Sequence, residues 1–386
     1  NDTIVWDSAV NGTKGSLAAG GYQLQNFMSG TKYSGATMYI GWYPGTDVQT
    51  ADPTINASVG SSVWSGNHVL RGLSYLALKL EASEKFGGQL PTFNATLQGK
   101  KILDVSTLTF GDVIGDMTSA NYTAGADQNP ADVLYDYLIS ERYGKGLDIS
   151  SYSNAWSAGT DIDLASFQQA KIDCDAARSG SGYPLNGFLQ TEKQIFNNVS
   201  EILEACNGMI LFVNGKYQFH IRKKNEHVNL PTDKIFDKSN IIGEITLSLP
   251  AKSSKLNKIT GNFNNANEKY NDDLVLFKSD AYILEDNDSI LETQEDYTMI
   301  TDPSLVTDLI TQRVNISRDL QQVAFTVSHL ALLLKAGDVI EVRHDDFGWG
   351  TGHQQIRKYF RVEELKLTDE NTVEIVATTY DSALEL

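Results

Sequence analysis

The chain has 386 residues, of which 41% are hydrophobic, and its formal net charge is −18. This length predicts two or three domains, and the acidic balance argues against tight binding to DNA or RNA through phosphate neutralisation, although it is compatible with nucleic acid that slides past an acidic wall. No apolar run is long enough to span a membrane.

The first part of the chain is typical of short strands joined by loops. It opens Asn1-Asp2-Thr3 with neither a methionine nor a signal segment, so we expect a fragment of a longer chain. Residues 36–43 predict a strand that ends at Pro44-Gly45, a turn signal. Further along, the pattern predicts an exposed loop at 47–65 and a strand or short helix at 68–80. A strand at 92–102 and a polar link at 105–128 are predicted to follow.

Capping residues mark the clearest helices. Asn129 can cap a helix whose first residue is Pro130, because that position does not use an N–H. Asp302-Pro303 repeats this signature, and another helix is predicted over 161–177. The apolar side chains expected along the faces of these helices that pack against the core are Val133, Leu134, Tyr137, Leu138, Leu164, Phe167, Ile172, Leu305, Val306, Leu309 and Ile310.

The most regular module of the sequence begins at Leu185. Residues 185–190 are compatible with a strand, and Thr191 with Gln194 forms a capping box for the helix that follows. We expect this helix to stop at Gly208, because glycine readily takes the left-handed conformation that ends helices. Its apolar face consists of Ile195, Phe196, Val199, Ile202, Leu203 and Cys206.

The second half of this module predicts a β-hairpin. The apolar run 209–213 suits a buried strand, Asn214-Gly215 suits a two-residue turn, and 216–221 alternates as the return strand. Cys174 and Cys206 are too few for a disulfide framework, so we expect both to be reduced and structural.

The remaining part of the chain favours β-structure. Its turn signals come at regular spacing, which predicts a small barrel or sandwich. The strands are predicted at 241–249, 256–263, 323–328, 338–343, 359–367 and 372–378.

One loop carries the densest set of potential metal ligands. His344, Asp345 and Asp346 with His353 offer ligands that a divalent ion accepts. The spacing matches no closed zinc pattern, and three glycines nearby are typical of a polar loop between strands. We therefore interpret it as a loop and predict no metal site.

Two acidic clusters could in principle supply the paired carboxylates of a glycoside hydrolase. With 49 acidic residues in the chain, such pairs are expected by chance, and we predict no catalytic residue there. The clusters are Glu285, Asp286 and Asp288, and Glu292, Glu295 and Asp296.

Other motifs also favour structural interpretations. Ser179-Gly180-Ser181-Gly182 lacks the Gly-Lys-Ser/Thr of a phosphate loop and suits a flexible link. Arg222-Lys223-Lys224 suits a solvated edge more than a nucleic-acid patch. Four aromatic residues near loops could stack on a glycan, although buried anchors are commoner. These are Trp42, Tyr43, Trp64 and Trp349. We predict no catalytic, cofactor-binding or metal-binding residue.

Ordered motifs resemble a known family. Residues Asn129–Leu138 and Arg142–Gly146 resemble the "NPxxVLYDLL…RYGxG" segment of siphophage tail tip attachment, or host-specificity (J-like), proteins of the baseplate hub family. Further similar segments, in the family's order, are 71–75 with 86–91 and 99, 185–224, 242–263, and 336–342 with 345–346. Lys335-Ala336 replaces the usual proline of the "PGDVIE" strand.

This resemblance implies the fold class and the domains. The fold is expected to be mixed α+β and β-rich, a phage baseplate-hub fold with β-barrel tube domains and flanking α/β domains. Residues 1–128 would form a β-rich hub domain that is N-terminally incomplete, and 129–250 an α/β lateral domain with helix and β-hairpin. Residues 251–386 would form a β-barrel tube-type hub domain.

The resemblance also implies a function without a cofactor. The expected protein is a non-enzymatic baseplate hub at the distal end of the virion tail, made in the host cytoplasm, which closes and continues the tail tube. It would form a homotrimer, contact the distal tail protein, the tail tube, the tape measure protein and other tail tip proteins, and let viral DNA pass through its lumen without specific binding. Host receptors would be bound by regions outside this stretch.

Two alternatives remain open from the sequence. The acidic clusters and aromatic residues suggest a carbohydrate-binding or carbohydrate-degrading tail component. A bacterial surface adhesin or secretion-system hub of related fold is the other.

Overall fold

The fold was described from a computed structural model. The chain divides into two compact units, Asn1–Leu97 and Gln98–Leu386, which we describe separately. The predicted boundaries at residues 128 and 250 remain a prediction. The structure describes residues 20–24, 38–43, 45, 48–80, 99–108, 122–125, 128–147, 161–251, 254–352, 355–368 and 371–386.

The first unit contains an antiparallel sheet of β1 (Gly20–Leu24), β2 (Met38–Tyr43) and β3 (Tyr75–Leu80), in that order. The predicted strand at 36–43 is confirmed over 38–43, while residues 36–37 lie outside the described residues, and the ambiguous segment 68–80 contains a strand. The expectation of a loop throughout 47–65 is wrong, because Pro53–Val59 forms helix α1. Its cap is Asp52, whose carboxylate accepts from the backbone N–H of Ile55 at 2.8 Å.

The second unit begins with helices and short strands. Among the described residues no helix is long and apolar enough to cross a membrane. The elements up to the hairpin are β4 (Gly99–Leu103), β5 (Tyr122–Gly125), α2 (Pro130–Ile139), α3 (Leu164–Gly180), α4 (Ile195–Glu204), β6 (Gly208–Val213) and β7 (Lys216–Ile221). Those that follow are β8 (Ile235–Phe236), β9 (Ile241–Ser248), β10 (Lys258–Asn265), β11 (Asn271–Lys278), α5 (Asp280–Glu285), β12 (Glu292–Tyr297), α6 (Pro303–Asp319), β13 (Gln322–Ser328), β14 (Val339–Val342), β15 (Lys358–Leu367) and β16 (Thr372–Tyr380).

The first core of this unit, here called the α/β core, packs α2, α3, α4 and α6 with the three-stranded sheet β11-β10-β12. The predicted caps are confirmed, since Asn129 accepts from the N–H of Ala131 and Asp302 from that of Ser304. Helix α6 lies close to β10 because Gly261 has no side chain. A Cβ there would be 2.7 Å from Val306 Cγ1.

The second core is a curled sheet with the strand order β8-β14-β15-β16-β13-β9, here called the half-barrel. Its edge strands, β8 and β9, are consecutive and are joined only by residues 237–240. A flat six-stranded sheet would hold its edges about 24 Å apart, whereas five residue steps reach at most about 17 Å. The connection is also a tight turn, in which the N–H of Ile241 donates to the carbonyl of Asp237 at 2.9 Å. The sheet must therefore curl.

These observations confirm a mixed, β-rich fold with a curled sheet in its C-terminal part. The interior of the half-barrel contains aliphatic and aromatic side chains, which include Phe325, Phe360 and Ile375. The strands predicted from residue 323 onwards are all present, with bounds that differ by one to two residues.

The module from Leu185 differs from its prediction at both ends of α4. Residues 185–190 form no strand, and Gln194 caps the helix by position without the side-chain bond of a capping box with Thr191. Asn207, with φ of 52°, takes the left-handed conformation expected of Gly208. Gly208 is needed instead for packing, because a Cβ would lie 2.7 Å from the ring of Phe219.

The hairpin turn of this module is confirmed. Asn214 and Gly215 have φ of 54° and 79°, the positive values that a two-residue turn requires. Burial is less well predicted, because Phe212 is 65% exposed in the run expected to be buried and Ile172 of α3 is 60% exposed. Ile195 and Phe196, in the first turn of α4, are also exposed.

Candidate functional site

The hairpin β6–β7 lies between the α/β core and the half-barrel. On one side Phe219 packs against Phe167 of α3, with ring centroids 5.6 Å apart. On the other side Lys335, from the loop before β14, donates to the side chain of Gln218 at 3.0 Å. This region between the two cores is here called the seam.

A buried charged cluster occupies the seam beyond the hairpin. Arg361 of β15 is 4% exposed. It donates to Glu226 at 3.0 Å and to Glu385 at 3.0 Å. Glu385 is 6% exposed and also accepts from Gln312 of α6 at 3.0 Å. Two carboxylates therefore share one guanidinium group.

Burial sets the electrostatics of this cluster. It raises the pKa of Glu385 above the ordinary value of 4.5, although Arg361 and Arg222 act in the opposite direction. Burial also acts to lower the pKa of Arg361, but the two glutamates outweigh it and the pKa is raised. Arg361 is therefore charged, and the cluster contains an excess negative charge unless Glu385 binds a proton.

A small cavity of about 60 Å³ adjoins the cluster. Its lining includes Arg361, Glu385, Arg222, Glu363 and Asp381. The volume has room for one or two water molecules, which the charged lining can hydrogen-bond. The charged cluster therefore lies beside a pocket that small molecules such as water can enter.

The predicted metal-ligand loop is held by protein groups. Asp345 accepts from Lys238 at 2.9 Å and from Gln355 at 3.1 Å. The bond from Lys238 lowers the pKa of Asp345. Nδ1 of His344 lies 3.8 Å from Asp346, and His353 is outside the described residues. Throughout the described part of the chain, no group of three or more His, Cys, Asp or Glu side chains could hold a metal ion.

The acidic cluster on β12 has structural partners. Glu292 pairs with Lys258 at 2.6 Å, and Glu295 with Arg313 at 2.6 Å. Asp296 accepts from the side chain of Asn262 at 2.7 Å. Neighbouring strand residues point to opposite faces, so Glu295 and Asp296 do not face one substrate.

The acidic cluster that includes Glu285 and Asp286 also has structural partners. Arg318 of α6 contacts Asp286 at 2.6 Å and Glu285 at 3.0 Å, and Asn257 also donates to Asp286. These bonds join α6 to the end of α5. The arrangement therefore gives these carboxylates a role in packing.

The aromatic residues proposed for glycan stacking lie in different environments. Trp349 is 6% exposed and packs against Phe347 and Phe360 in the half-barrel, so a surface role for it is wrong. In the first unit Tyr43 is buried and stacks on Tyr75 with centroids 4.6 Å apart. Trp64 stacks on His68, and Trp42 is half-buried.

The remaining predicted residues have structural environments. Arg222 lies 3.7 Å from Glu363 and Lys223 lies 2.8 Å from Asp173, while Lys224 is exposed. The Ser-Gly-Ser-Gly segment follows Arg178, whose side chain joins α3 to Asp308 of α6 at 2.7 Å.

Cys174 and Cys206 are both buried and free. A hydrogen bond with the thiol of Cys206, together with burial, raises the pKa of Cys174. A raised pKa keeps the less reactive thiol form, in agreement with a structural role.

Sequence reasoning missed the seam cluster. Glu226, Arg361 and Glu385 lie far apart in the chain and form no motif. One signal was present, because Arg361 stands between Phe360 and Val362 in a predicted strand where a solvated arginine is unusual.

Known proteins resemble this chain in sequence. Residues 195–362 match the family described as "Putative phage tail protein". Over 345 residues the chain is 23% identical to the baseplate hub protein pb3 of Escherichia phage T5, with 83% of this chain covered. This chain is therefore similar in sequence to phage tail proteins. The predicted resemblance is thereby confirmed, and so is the predicted location in the virion tail, of which these relatives are components.

Solved structures resemble its fold. A chain in the virion of a native gene transfer agent particle matches with a TM-score of 0.58 and 12% identity, over 91% of this chain and 72% of that chain. A tail protein from Neisseria meningitidis MC58 matches with a TM-score of 0.36 and 10% identity, over 53% of this chain and 60% of that chain. The likeness to the gene transfer agent chain concerns the fold alone. The chain spans about a third of the length of the T5 protein, of which 33% is covered.

Proposed function

We infer that this chain is a structural baseplate hub protein at the distal end of a phage tail. The observation that carries the proposal is its similarity, over 83% of its length, to a protein named as a baseplate hub. In this proposal the chain closes and continues the tail tube, takes part in host attachment and lets DNA pass during ejection.

The fold and the charge support this assignment. A curled sheet with a filled interior is a suitable rigid wall element for a tube. A formal net charge of −18 disfavours adhesion of DNA that passes alongside it. The proposed assembly is a siphophage homotrimer that contacts the distal tail protein, the tail tube, the tape measure protein and other tail tip proteins, with host receptors bound by regions outside this stretch.

The proposed role is not enzymatic. The carboxylates of the two acidic clusters contact Lys258, Arg313, Asn262 and Arg318, and these partners give them a structural use. No specific observation favours the carbohydrate-active alternative, so we do not propose it.

Immunogold electron microscopy tests the location. Antibodies against this chain on intact particles are expected to label only the distal end of the tail, whereas antibodies against the tube protein serve as a control that labels the whole tail. Label along side fibres, or none on particles, would overturn the hub proposal.

A mass measurement tests the assembly. Light scattering on the purified chain, and on tail tips released from particles, is expected to give three copies per hub. A different copy number in released tips would contradict the trimer while leaving the location intact.

A further inference from the structure

The segment after β16 connects the two cores of the second unit. Residues Asp381–Leu386, here called the strap, form no helix or strand. The strap starts at the end of the half-barrel, and Leu386 packs against the α/β core. It therefore crosses the seam.

Glu385 is the central contact of the strap. Its two carboxylate oxygens bind different cores, since one accepts from Arg361 of β15 and the other from Gln312 of α6. Gln312 in turn accepts from the side chain of Asn207, at the end of α4. One side chain of the strap thus links the half-barrel to two helices of the α/β core.

The strap and the end of β16 also hold the segment that leaves the hairpin. The N–H of Asn225 donates to the hydroxyl of Ser382 at 2.9 Å. The hydroxyl of Tyr380 accepts from the N–H of Glu226 and donates to the carbonyl of Lys223, both at 3.1 Å. Glu226 is the second partner of Arg361, so the strap and the hairpin exit meet at one guanidinium group.

Each core, in contrast, has an interior of its own. The half-barrel is filled by side chains of β8 and β13–β16 and their loops, and the α/β core by side chains of its helices and of β10. A buried cluster with two carboxylates for one guanidinium contributes little net stability, because desolvation offsets much of the attraction. A pocket of about 60 Å³ also adjoins Arg361 and Glu385.

We propose that the strap is a releasable fastening between the two cores. When Glu385 leaves Arg361 and Gln312, the strap also releases Asn225 and the seam opens, while both cores stay folded. The α/β core and the half-barrel then change their relative orientation around the connections between them. This inference concerns the fold and does not depend on the proposed hub function.

Hydrogen exchange read by mass spectrometry tests the proposal on the whole chain. Glu385→Ala is expected to speed exchange at Asn225, whose amide donates to Ser382 of the strap, by roughly tenfold or more, although this amide does not contact Glu385. The interior amides of Ile375 and Leu309 are expected to change by less than about twofold. Glu364→Gln, an exposed glutamate of β15, is the matched control and leaves all these rates unchanged.

Two outcomes would overturn the proposal. Equal acceleration at the seam and in both interiors would show that the strap belongs to one cooperative unit. Unchanged exchange at Asn225 would show that the strap fastens nothing.

A disulfide variant tests the opposite change, because it strengthens the attachment of the strap and does not rely on removing a contact. Oxidation of Asn225→Cys with Ser382→Cys would tie the strap to the hairpin exit, and is expected to slow exchange at Glu226 below the rate of the unmodified chain. Reduction of the disulfide is expected to return Glu226 to faster exchange. If the oxidised and reduced forms exchange alike, the seam does not open through the strap.

Discussion

The α/β core and the half-barrel are stabilised by different interactions. The α/β core contains buried charged groups that join helices. Lys171 of α3 contacts the fully buried Asp132 of α2 at 2.6 Å and Asp104 at 2.7 Å. Burial acts to raise the pKa of Asp104, but the hydrogen bonds from Lys171 and Ser106 together outweigh it and the pKa is lowered. The half-barrel instead combines a ladder of strands with an apolar interior.

This difference explains where local patterns predict structure well. A strand with alternating apolar residues predicts its own burial, because one face of the sheet is inside. A charged residue in a helix does not show whether a distant partner will bury it. Substitutions in each core can test this contrast.

Loss of Lys171 should have the largest effect on the α/β core. Lys171→Met removes the ion pair to the buried Asp132, which we expect to lower the free energy of unfolding by about 3–5 kcal/mol. Urea unfolding measures the change. The exposed Lys224→Met is the control, expected within about 0.5 kcal/mol of the original chain. A loss below about 1 kcal/mol for Lys171→Met would contradict the role given to this residue.

A cavity in the half-barrel should have a similar effect through a different mechanism. Phe360 is fully buried and packs against Trp349 with centroids 5.3 Å apart. Phe360→Ala is expected to cost about 3–5 kcal/mol in urea unfolding, because lost burial and a cavity add. The exposed Lys366→Ala, also on β15, should be nearly neutral. A neutral Phe360→Ala would mean that the half-barrel interior is not tightly packed.

Contact between α6 and β10 should tolerate no added methyl group. Gly261→Ala places a Cβ 2.7 Å from Val306 and 3.3 Å from Ile310. We expect a loss of about 1–3 kcal/mol in thermal or urea unfolding. Gly99→Ala, whose added Cβ would meet no atom of the described part of the chain within 4 Å, is the control. Equal effects of both substitutions would argue against close packing at Gly261.

The N-terminal cap of α6 should contribute less to the free energy of unfolding than the interior residues above. Asp302→Ala removes the acceptor for the N–H of Ser304, which is 2.9 Å away, and we expect a loss of about 1 kcal/mol. Asp302→Asn keeps a capping oxygen and should retain most of the stability. If alanine and asparagine behave alike, the cap bond does not determine the loss.

The smallest effect concerns pH. Burial and then Lys335 lower the pKa of His220 below its ordinary 6.5, while Asp338, Asp163 and Glu226 oppose this. The contribution of neutral His220 to stability is therefore complete above about 6.5 and is lost as the pH falls from there through the lowered pKa of the folded state. Unfolding midpoints of His220→Gln should fall less between neutral and mildly acidic pH than those of the original chain. Parallel pH profiles would contradict a depressed pKa.

Much of the secondary structure could be predicted from sequence, but less of the site. The caps at Asn129 and Asp302 and the turn at Asn214-Gly215 depend on neighbouring atoms, so local sequence was enough. The Thr191–Gln194 capping box failed although its residues fit the pattern. The seam cluster could not be predicted, because Arg361 and Glu226 are 135 positions apart.

Short runs of adjacent residues specify the capped helices, the hairpin, the C-terminal strands and the resemblance to tail proteins. The curl of the last sheet, the outward orientation of Ile172 and Phe212, and the burial of Trp349 depend instead on tertiary packing. Tertiary packing also brings Glu226, Arg361 and Glu385 together at the seam. Burial and charge pairing depend on partners that the chain supplies from distant positions, and no local pattern identifies them.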